Sequence, residues 1–322
     1  MYKVIMVPTE GSDSEKAVIA VAAKLAQRFK ADLRLVRVLS APTGSETLPP
    51  RPVLEITEDA VREERLARLR KLETLGSEVR ALGDIRVITA LEDGPVAPTL
   101  KDYANKFNVD LIVMSSHARG GIKRVTLGSV TDYLIRRTNI PVLVVRPTVS
   151  LDGPSHEEKI GRIMVPLDGS DLAQQILPHV ASLALQLNAT VTLLRVLTPS
   201  TYAQKQIMQP GLPWWDADMA EADAYLADAV RSLTERGVAA TKDVILSDNV
   251  TDAILDFATS MKADLIAIAT RGTGGMSRFV FGTVADELTR RSPVSLLVFH
   301  PGTGTIAGEV DASEFQALAV PE

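Results

Sequence analysis

Short apolar runs alternate with longer amphipathic stretches along the chain. In the first half, runs rich in Val, Ile and Leu predict strands near residues 3–8, 33–39, 85–90, 110–114 and 141–146. Between these runs apolar residues recur at helical spacing; we expect the first helix to begin after Gly11 and the second to cover about 57–82. Apolar strands separated by helices are typical of a mostly parallel sheet with helices on both faces.

The whole pattern occurs twice. The run VIMVPTEGSDSEKAV from Val4 matches RIMVPLDGSDLAQQI from Arg162, and VDLIVMSSHARGGIKRVTLGSV from Val109 matches ADLIAIATRGTGGMSRFVFGTV from Ala263. The closing runs PVLVV and PVSLLVF correspond as well. Matching blocks in the same order indicate an internal repeat in which each half forms its own sheet.

This repeat divides the chain into four segments. They are a first domain at 1–149, a linker at 150–160, a second domain at 161–301 and a flexible acidic tail at 302–322. We call the two domains the first repeat and the second repeat. Their closing apolar strands would be exposed sheet edges, which soluble proteins cover. We therefore expect these strands to pair the repeats into a pseudo-dimer, and a homodimer of whole chains is a further expectation.

Composition and charge exclude several classes of function. The net charge is -5 and charges of both signs are interspersed, so we expect no nucleic acid partner. The apolar runs are far shorter than the roughly 20 residues that span a bilayer, so we expect no membrane partner. The chain has no cysteine, which excludes disulfide and thiolate chemistry and is compatible with a reducing cytoplasm. Its four histidines lack metal-ligand spacing, and we expect no metal site.

Ligands of open parallel sheets bind beyond the carboxyl ends of the strands, where the strand order reverses. In both repeats the fourth strand is followed by a glycine-rich loop that ends at a helix, at Gly128 and Ser129 or at Gly282 and Thr283. Free amides and the helix dipole favour a phosphate there. Glycine permits close approach of a ligand or a positive φ, and Ser129 and Thr283 could donate a hydroxyl or simply cap the helix. A tight turn without any ligand explains the glycines equally well.

These blocks resemble the universal stress protein family. The resemblance rests on the first strand with its acidic residue and Gly-Ser, on the strand-four loop with its Gly-Ser or Gly-Thr, and on the closing PVLVV. It implies two tandem α/β domains of Rossmann-like type, each a doubly wound, mostly parallel five-stranded sheet. The ATP-binding branch of that family shows a G-x-x-G-x9-G-[ST] pattern after strand four. The first glycine of this pattern is replaced by Ala269 in the second repeat, whereas Ser115 and Ala118 replace two glycines in the first.

The resemblance also implies which residues would contact an adenine nucleotide. An acidic residue after strand one, Asp168 or Glu10, would meet the adenosine, and the backbone of Val196 or Val38 would line the adenine pocket. The implied set in the second repeat is Pro166, Leu167, Asp168, Val196, Ala269, Gly272, Gly282, Thr283 and Val284. The implied set in the first repeat is Pro8, Thr9, Glu10, Val38, Ser115, Ala118, Gly128, Ser129 and Val130.

We therefore predict a tandem universal stress protein that binds ATP, with Mg2+ as the counter-ion of the phosphates, as a sensor or stress-response module. The second repeat is the more intact. No catalytic residue is predicted, because the sequence shows no nucleophile beside a base and no Walker lysine loop, and any ATPase activity would be weak. A downstream protein partner is expected, although no motif specifies it.

Two rival functions stay open. A structural or interaction module of the same fold would bind no nucleotide, and the replaced glycines at Ser115, Ala118 and Ala269 favour it. An ATP-dependent adenylating enzyme is suggested by TEGSDS from Thr9, but Glu10 stands where such a loop needs glycine for pyrophosphate.

Other residues near the loops have two interpretations each. Five cations could pair with phosphates or be merely solvated: Arg119, Lys123, Arg124, Arg271 and Arg278. Trp214 and Trp215 could form a stacking lid or pack the insertion against a helix. Arg136, Arg137, Arg290 and Arg291 end the fourth helices, where they suit the helix dipole.

Overall fold

The computed structural model describes residues 2–12, 15–40, 58–115, 127–146, 160–199, 214–270 and 282–301. The elements of the first repeat are β1 (Val4–Pro8), α1 (Lys16–Phe29), β2 (Asp32–Leu39), α2 (Glu58–Arg80), β3 (Val87–Asp93), α3 (Val96–Lys106), β4 (Leu111–Ser115), α4 (Ser129–Arg137) and β5 (Val142–Val145). Those of the second repeat are β6 (Arg162–Pro166), α5 (Asp171–Gln174), α6 (Leu177–Leu187), β7 (Thr190–Leu197), α7 (Trp214–Glu235), β8 (Ala240–Leu246), α8 (Val250–Ser260), β9 (Leu265–Ala269), α9 (Thr283–Arg291) and β10 (Ser295–Phe299). The predicted linker lies almost wholly, and the predicted tail wholly, outside the described residues, so these boundaries stay predictions.

Each repeat contributes five strands, and together they form one ten-stranded sheet of order β3-β2-β1-β4-β5-β10-β9-β6-β7-β8. The closing strands β5 and β10 pair antiparallel, with Leu143 opposite Leu297, while the pairs within each repeat are parallel. The expected pairing of the closing strands is therefore confirmed, and it removes two apolar edges from solvent.

Both faces of the sheet are buried, which explains why its central strands are apolar at successive positions. Along β1, Ile5 and Val7 belong to a first core with α1, α2, α6 and α7, whereas Met6 belongs to a second core with α3, α4, α8 and α9. This alternation follows from the two-residue period of a strand. Each core extends through both repeats.

The strand and helix predictions hold best in the middle of the sheet. The third strand, expected near 85–90, runs instead from Val87 to Asp93. β3 is an outer strand of the sheet, where polar side chains can remain exposed. The strand can therefore include Glu92 and Asp93, which a search for apolar runs excludes. In the second repeat the helix after the first strand is divided into α5 and α6, and Pro178 lies in the first turn of α6. Proline suits the first turn because its missing amide would be unpaired there.

Two clusters of side chains connect the repeats. Arg136 of α4 lies 2.6 Å from Asp286 of α9, and so it makes an ion pair between the repeats in addition to its place near the helix end. The Tyr2 hydroxyl lies 3.1 Å from Nδ1 of His179, whose ring is 4.5 Å from that of Phe299. Within the described residues, the structure has no helix whose length and apolar character would suit a membrane crossing.

Candidate functional site

The strand order reverses beside β1 in the first repeat and beside β6 in the second. β1 lies between β2 and β4, with Ile5 opposite Leu111; continuing that register brings Thr9 level with Ser115. In the second repeat Ile163 lies opposite Leu265, so Leu167 comes level with Ala269. The ends of the first and fourth strands therefore lie side by side in each repeat, at the position where open α/β sheets bind ligands. We call this position the crevice of each repeat; whether the predicted residues bind a ligand there stays a prediction.

Both helices that follow the strand-four loops begin at a glycine. Gly128 and Gly282 are the N-cap residues of α4 and α9, whereas Ser129 and Thr283 are the first helical residues and are exposed. The alternative that Ser129 and Thr283 cap these helices is therefore wrong. An N-cap glycine offers no side-chain acceptor, so it leaves the first-turn amides to other partners.

The conformation of Gly282 does not require glycine. Its φ is -55° and that of Gly128 is -63°, values open to any residue, so a positive φ as the reason for Gly282 is wrong. A Cβ added at Gly282 would meet no atom of the described residues within 4 Å. Neither a positive φ nor close packing within the described residues requires glycine at this position, and glycine is also among the residues favoured at an N-cap.

Half-buried valines lie near the carboxyl ends of the second strands and at the starts of α4 and α9. Val38 and Val130 in the first repeat, and Val196 and Val284 in the second, pack against the second core. Pro8 and Pro166, the last residues of β1 and β6, are also half-buried. The predicted valines therefore share the sheet face on which α4 and α9 begin.

In the first repeat, the loop after β1 is held by a carboxylate that sequence reasoning missed. Glu15, just before α1, accepts hydrogen bonds from the amide of Glu10 at 2.9 Å, from the amide of Gly11 at 3.2 Å and from the hydroxyl of Thr9 at 2.5 Å. Thr9 is buried, whereas Glu10 is exposed. The donors at the end of β1 therefore already have an anionic partner from the same chain.

In the second repeat, the corresponding loop is organised by its own aspartate. Asp168 accepts hydrogen bonds from the amide of Ser170 at 3.0 Å and from its hydroxyl at 2.5 Å. Ser170 in turn caps α5 by accepting from the amide of Ala173 at 3.1 Å. Asp168 is exposed at the mouth of the crevice, and Ser170 fixes its orientation.

In each repeat, an arginine on the second strand also lies against the loop that follows the first strand. Arg195 donates from Nη1 to the carbonyl of Leu167 at 3.2 Å, and a Cβ on Gly169 would lie 2.9 Å from its Nη2. Arg37 takes the same position in the first repeat, 3.2 Å from a Cβ on Gly11. The repeat could have revealed this pair, because LVRVL and LLRVL carry arginine at matching positions.

Tyr225 of α7 completes the surroundings of the Asp168 loop. Its hydroxyl donates to the carbonyl of Ser170 at 3.0 Å. Burial raises the pKa of Tyr225, and the nearby Asp168 carboxylate raises it further. The tyrosine therefore stays protonated at neutral pH and remains a donor to the loop. No short-range pattern links residue 225 to residue 170, so sequence reasoning had no signal from which to find this contact.

Several predicted residues lie outside the described part of the chain. These are Ala118 and Gly272 of the phosphate pattern and the loop cations Arg119, Lys123, Arg124, Arg271 and Arg278. Trp214 and Trp215 begin α7, but the structure does not describe their side chains. Whether they form a stacking lid or pack against a helix therefore stays a prediction.

Comparison with known proteins agrees with this architecture. The family model described as universal stress protein family matches residues 1–146 and 159–300. A universal stress protein of Mycobacterium tuberculosis is 24% identical over 302 residues, which cover 91% of this chain and 96% of that protein. One of Methanocaldococcus jannaschii is 30% identical over 146 residues, 45% of this chain and 83% of its own. The crystal structure of a universal stress protein from Archaeoglobus fulgidus aligns with a TM-score of 0.67 and 16% identity, over 93% of this chain and 98% of the other. This chain belongs to the universal stress protein family and carries two tandem copies of its domain.

Proposed function

We propose that the second repeat binds an adenine nucleotide, ATP, in the crevice between β6 and β9. The observation that carries this proposal is Gly282, the N-cap residue of α9, which leaves the first-turn amides without a side-chain acceptor and at which an added Cβ would meet no described atom within 4 Å. Amides at the start of a nine-residue helix, with the positive end of its dipole, suit a phosphate group. The resemblance of the surrounding residues to the ATP-binding branch of the family supports the same ligand.

The described residues fit the two ends of such a ligand. The amides at Thr283 and Val284 would hold phosphate oxygens, and the Thr283 hydroxyl would add a donor. Asp168, on the other side of the crevice, would accept hydrogen bonds from ribose or adenine, since a carboxylate repels phosphates and must stand apart from them. The backbone of Val196 would border the adenine.

Any Mg2+ would arrive with the nucleotide. The described residues contain no group of three or more His, Asp or Glu side chains placed to hold a metal ion. Mg2+ is commonly bound through phosphate oxygens, water and only one or two carboxylates, so it would neutralise the phosphates without a dedicated protein cage.

If the protein binds ATP without hydrolysing it, it would act as a sensor of ATP. Occupancy of the crevice would connect the loop after β6 with the start of α9, which contacts α4 of the first repeat through Asp286 and Arg136. In this proposal the ATP-bound and free states differ in the surface offered to a protein partner, and the protein acts in the cytoplasm, where ATP is available.

Substitutions at Gly282 test the proposal without disturbing the fold. Aspartate is a favourable N-cap, so Gly282→Asp should leave the free energy of unfolding unchanged or raise it by a few tenths of a kcal/mol. The same carboxylate beside the phosphates should weaken ATP binding about a hundredfold, because like charges a few ångströms apart repel by roughly 3 kcal/mol at a protein surface. Titration calorimetry of the full chain measures the affinity.

Two neutral variants are the controls. Gly282→Asn caps the helix without charge, and Gly282→Ala adds only a Cβ, so both should reduce ATP affinity less than Gly282→Asp does. Equal ATP affinity in the wild-type chain and in Gly282→Asp would contradict the proposed site.

The rival function is an interaction module without nucleotide. Ala269 at the end of β9 and Ser115 at the end of β4 favour it, because each adds a Cβ where the ATP-binding pattern has glycine. Mass spectrometry of small molecules released from freshly purified, denatured protein distinguishes the two. Stoichiometric adenine nucleotide supports the sensor; its absence, together with no ATP binding by calorimetry, supports the module.

A further inference from the structure

The end of β1 in the first repeat is occupied by a carboxylate of the same chain. Three donors converge on Glu15: the amides of Glu10 and Gly11 and the hydroxyl of Thr9. Continuing the register of β1 and β4 brings Thr9 level with Ser115, so these donors lie at the end of the sheet where the strand order reverses. Hydrogen bonds to an ionised acceptor are about twice as strong as neutral ones, so Glu15 holds the loop after β1 firmly.

Glu15 does more than begin α1. Its own amide donates to the carbonyl of Ser12 at 3.1 Å, as expected at a helix start. In a capping box, the glutamate side chain returns to the amide of the N-cap residue three positions earlier. Here the carboxylate reaches further back, to Glu10 and Gly11, and so it binds the loop that follows β1.

The second repeat lacks this carboxylate. The two opening runs align without gaps, so the residue that corresponds to Glu15 is Ala173. Ala173 is buried, and its amide donates to Ser170. In the part of the chain that the structure describes, the only carboxylate in this loop's hydrogen bonds is that of Asp168, which is bound by Ser170 and not by the amides at the end of β6.

We propose that Glu15 determines which repeat binds nucleotide, by bonding the donors of the loop after β1 that the first repeat would otherwise offer to a ligand. This inference rests on the proposed function and adds the residue that makes the two sites unequal. An adenosine that approached the loop after β1 in the first repeat would find three of its donors already bonded to Glu15 and would lie beside two carboxylates, Glu15 and the exposed Glu10. The second repeat presents Asp168 on the adenosine side, and its residue at the position of Glu15 is Ala173.

Exchanging the two residues tests this inference in the full chain. The wild-type chain should bind one ATP, and Glu15→Ala, which copies the second repeat, should bind two. In the reverse exchange, Ala173→Glu should weaken ATP binding by the second repeat at least tenfold. Calorimetry gives both the number of sites and the affinities, and thermal unfolding shows whether each variant is folded.

Isosteric controls separate charge from shape. Ala173→Gln adds the same bulk without the charge and should stay within about threefold of wild-type affinity. Glu15→Gln keeps the length of the side chain and weakens its hold on the donors, so its first repeat should bind ATP more tightly than that of the wild type and less tightly than that of Glu15→Ala. Equal affinities for Ala173→Glu and Ala173→Gln would overturn the proposal, and so would the same number of sites in Glu15→Ala as in the wild-type chain.

The design also distinguishes this inference from the proposed function. If the wild-type chain binds no ATP, the proposed function of the second repeat fails. Binding of one ATP by Glu15→Ala would still support the role of Glu15, whereas no binding by that variant would overturn it too. If the wild-type chain binds two ATP with equal affinity, nucleotide binding stands and the role of Glu15 is wrong.

Discussion

Gly169 shows how one residue fixes the orientation of the acidic loop. Its φ is +86°, a conformation that costs residues with a Cβ about 1 kcal/mol or more. The Arg195 guanidinium fills the space that a Cβ would need, with Nη2 at 2.9 Å and Cζ at 3.1 Å. Because Arg195 also donates to the carbonyl of Leu167, it has little freedom to move away. Gly169 and Arg195 therefore both fix the conformation of the loop that carries Asp168.

Replacing this glycine should destabilise the protein through both effects. We expect Gly169→Ala to lower the free energy of unfolding by about 2 kcal/mol, from the strained φ and the contact with Arg195. Chemical denaturation measures the change. Gly237→Ala is the matched control: its φ is +82°, but its nearest neighbour, Cδ2 of Leu185, lies at an ordinary 3.7 Å, so it should lose only about 1 kcal/mol. Equal losses would show that the contact with Arg195 has no energetic weight.

At the scale of elements, the sequence predicts those features that depend on local pattern. β1 and β4 are apolar at successive positions because both faces of the central sheet are buried, and their ends locate the crevice. β3 begins and ends later than its apolar run predicts, because an outer strand can include polar residues such as Glu92. Tyr225 escaped sequence reasoning because its partner, the carbonyl of Ser170, is set by how α7 packs, and periodicity carries no information on that. Glu15 and Arg195 left a signal in the sequence: Glu15 bonds residues four to six positions before it, and Arg195 matches Arg37 in the repeat.

The helices α4 and α9 offer a prediction at the same scale. Arg136 of α4 bonds both Asp132 of its own helix, at 2.8 Å, and Asp286 of α9, at 2.6 Å. These side chains are about one third exposed, so the coupling between the repeats should be modest. A double-mutant cycle of Arg136→Ala and Asp286→Ala, measured by chemical denaturation, should give about 0.5–1 kcal/mol.

Arg290 provides the comparison for this cycle. It pairs with the same Asp286 at 3.1 Å but lies within α9 and is more exposed. The cycle of Arg290→Ala with Asp286→Ala should therefore give a smaller coupling, about 0.3–0.5 kcal/mol. A larger coupling within α9 than between α4 and α9 would mean that the ion pair between the repeats contributes little to their association.

At the scale of the whole molecule, the sheet and its two cores make the repeats one unit. Tyr2, at the start of the first repeat, packs on His179 of the second, and Phe299 of β10 lies against the same imidazole. Burial lowers the pKa of His179 to about 4 and raises that of Tyr2. The histidine is therefore neutral at neutral pH and accepts or donates one hydrogen bond with the Tyr2 hydroxyl.

This buried histidine predicts how stability depends on pH. Its ordinary pKa is 6.5, so between pH 6.5 and pH 4 the unfolded chain binds a proton that the folded chain excludes. The free energy of unfolding should therefore fall as the pH drops through this window, with up to about 3 kcal/mol of the loss due to His179. Urea denaturation at a series of pH values measures the slope.

Two variants separate the proton of His179 from its packing. His179→Phe keeps an aromatic ring against Phe299 and removes the titrating group. The slope of the unfolding free energy between pH 4 and 6.5 should therefore become much shallower. A residual slope remains from His300, because burial lowers its pKa as well. Tyr2→Phe removes only the hydroxyl, so it should lower stability by about 1 kcal/mol at every pH and retain the slope. Because burial is the cause of the lowered pKa of His179, an unchanged slope in His179→Phe would mean that this imidazole is solvated and that the repeats are not packed together at Tyr2.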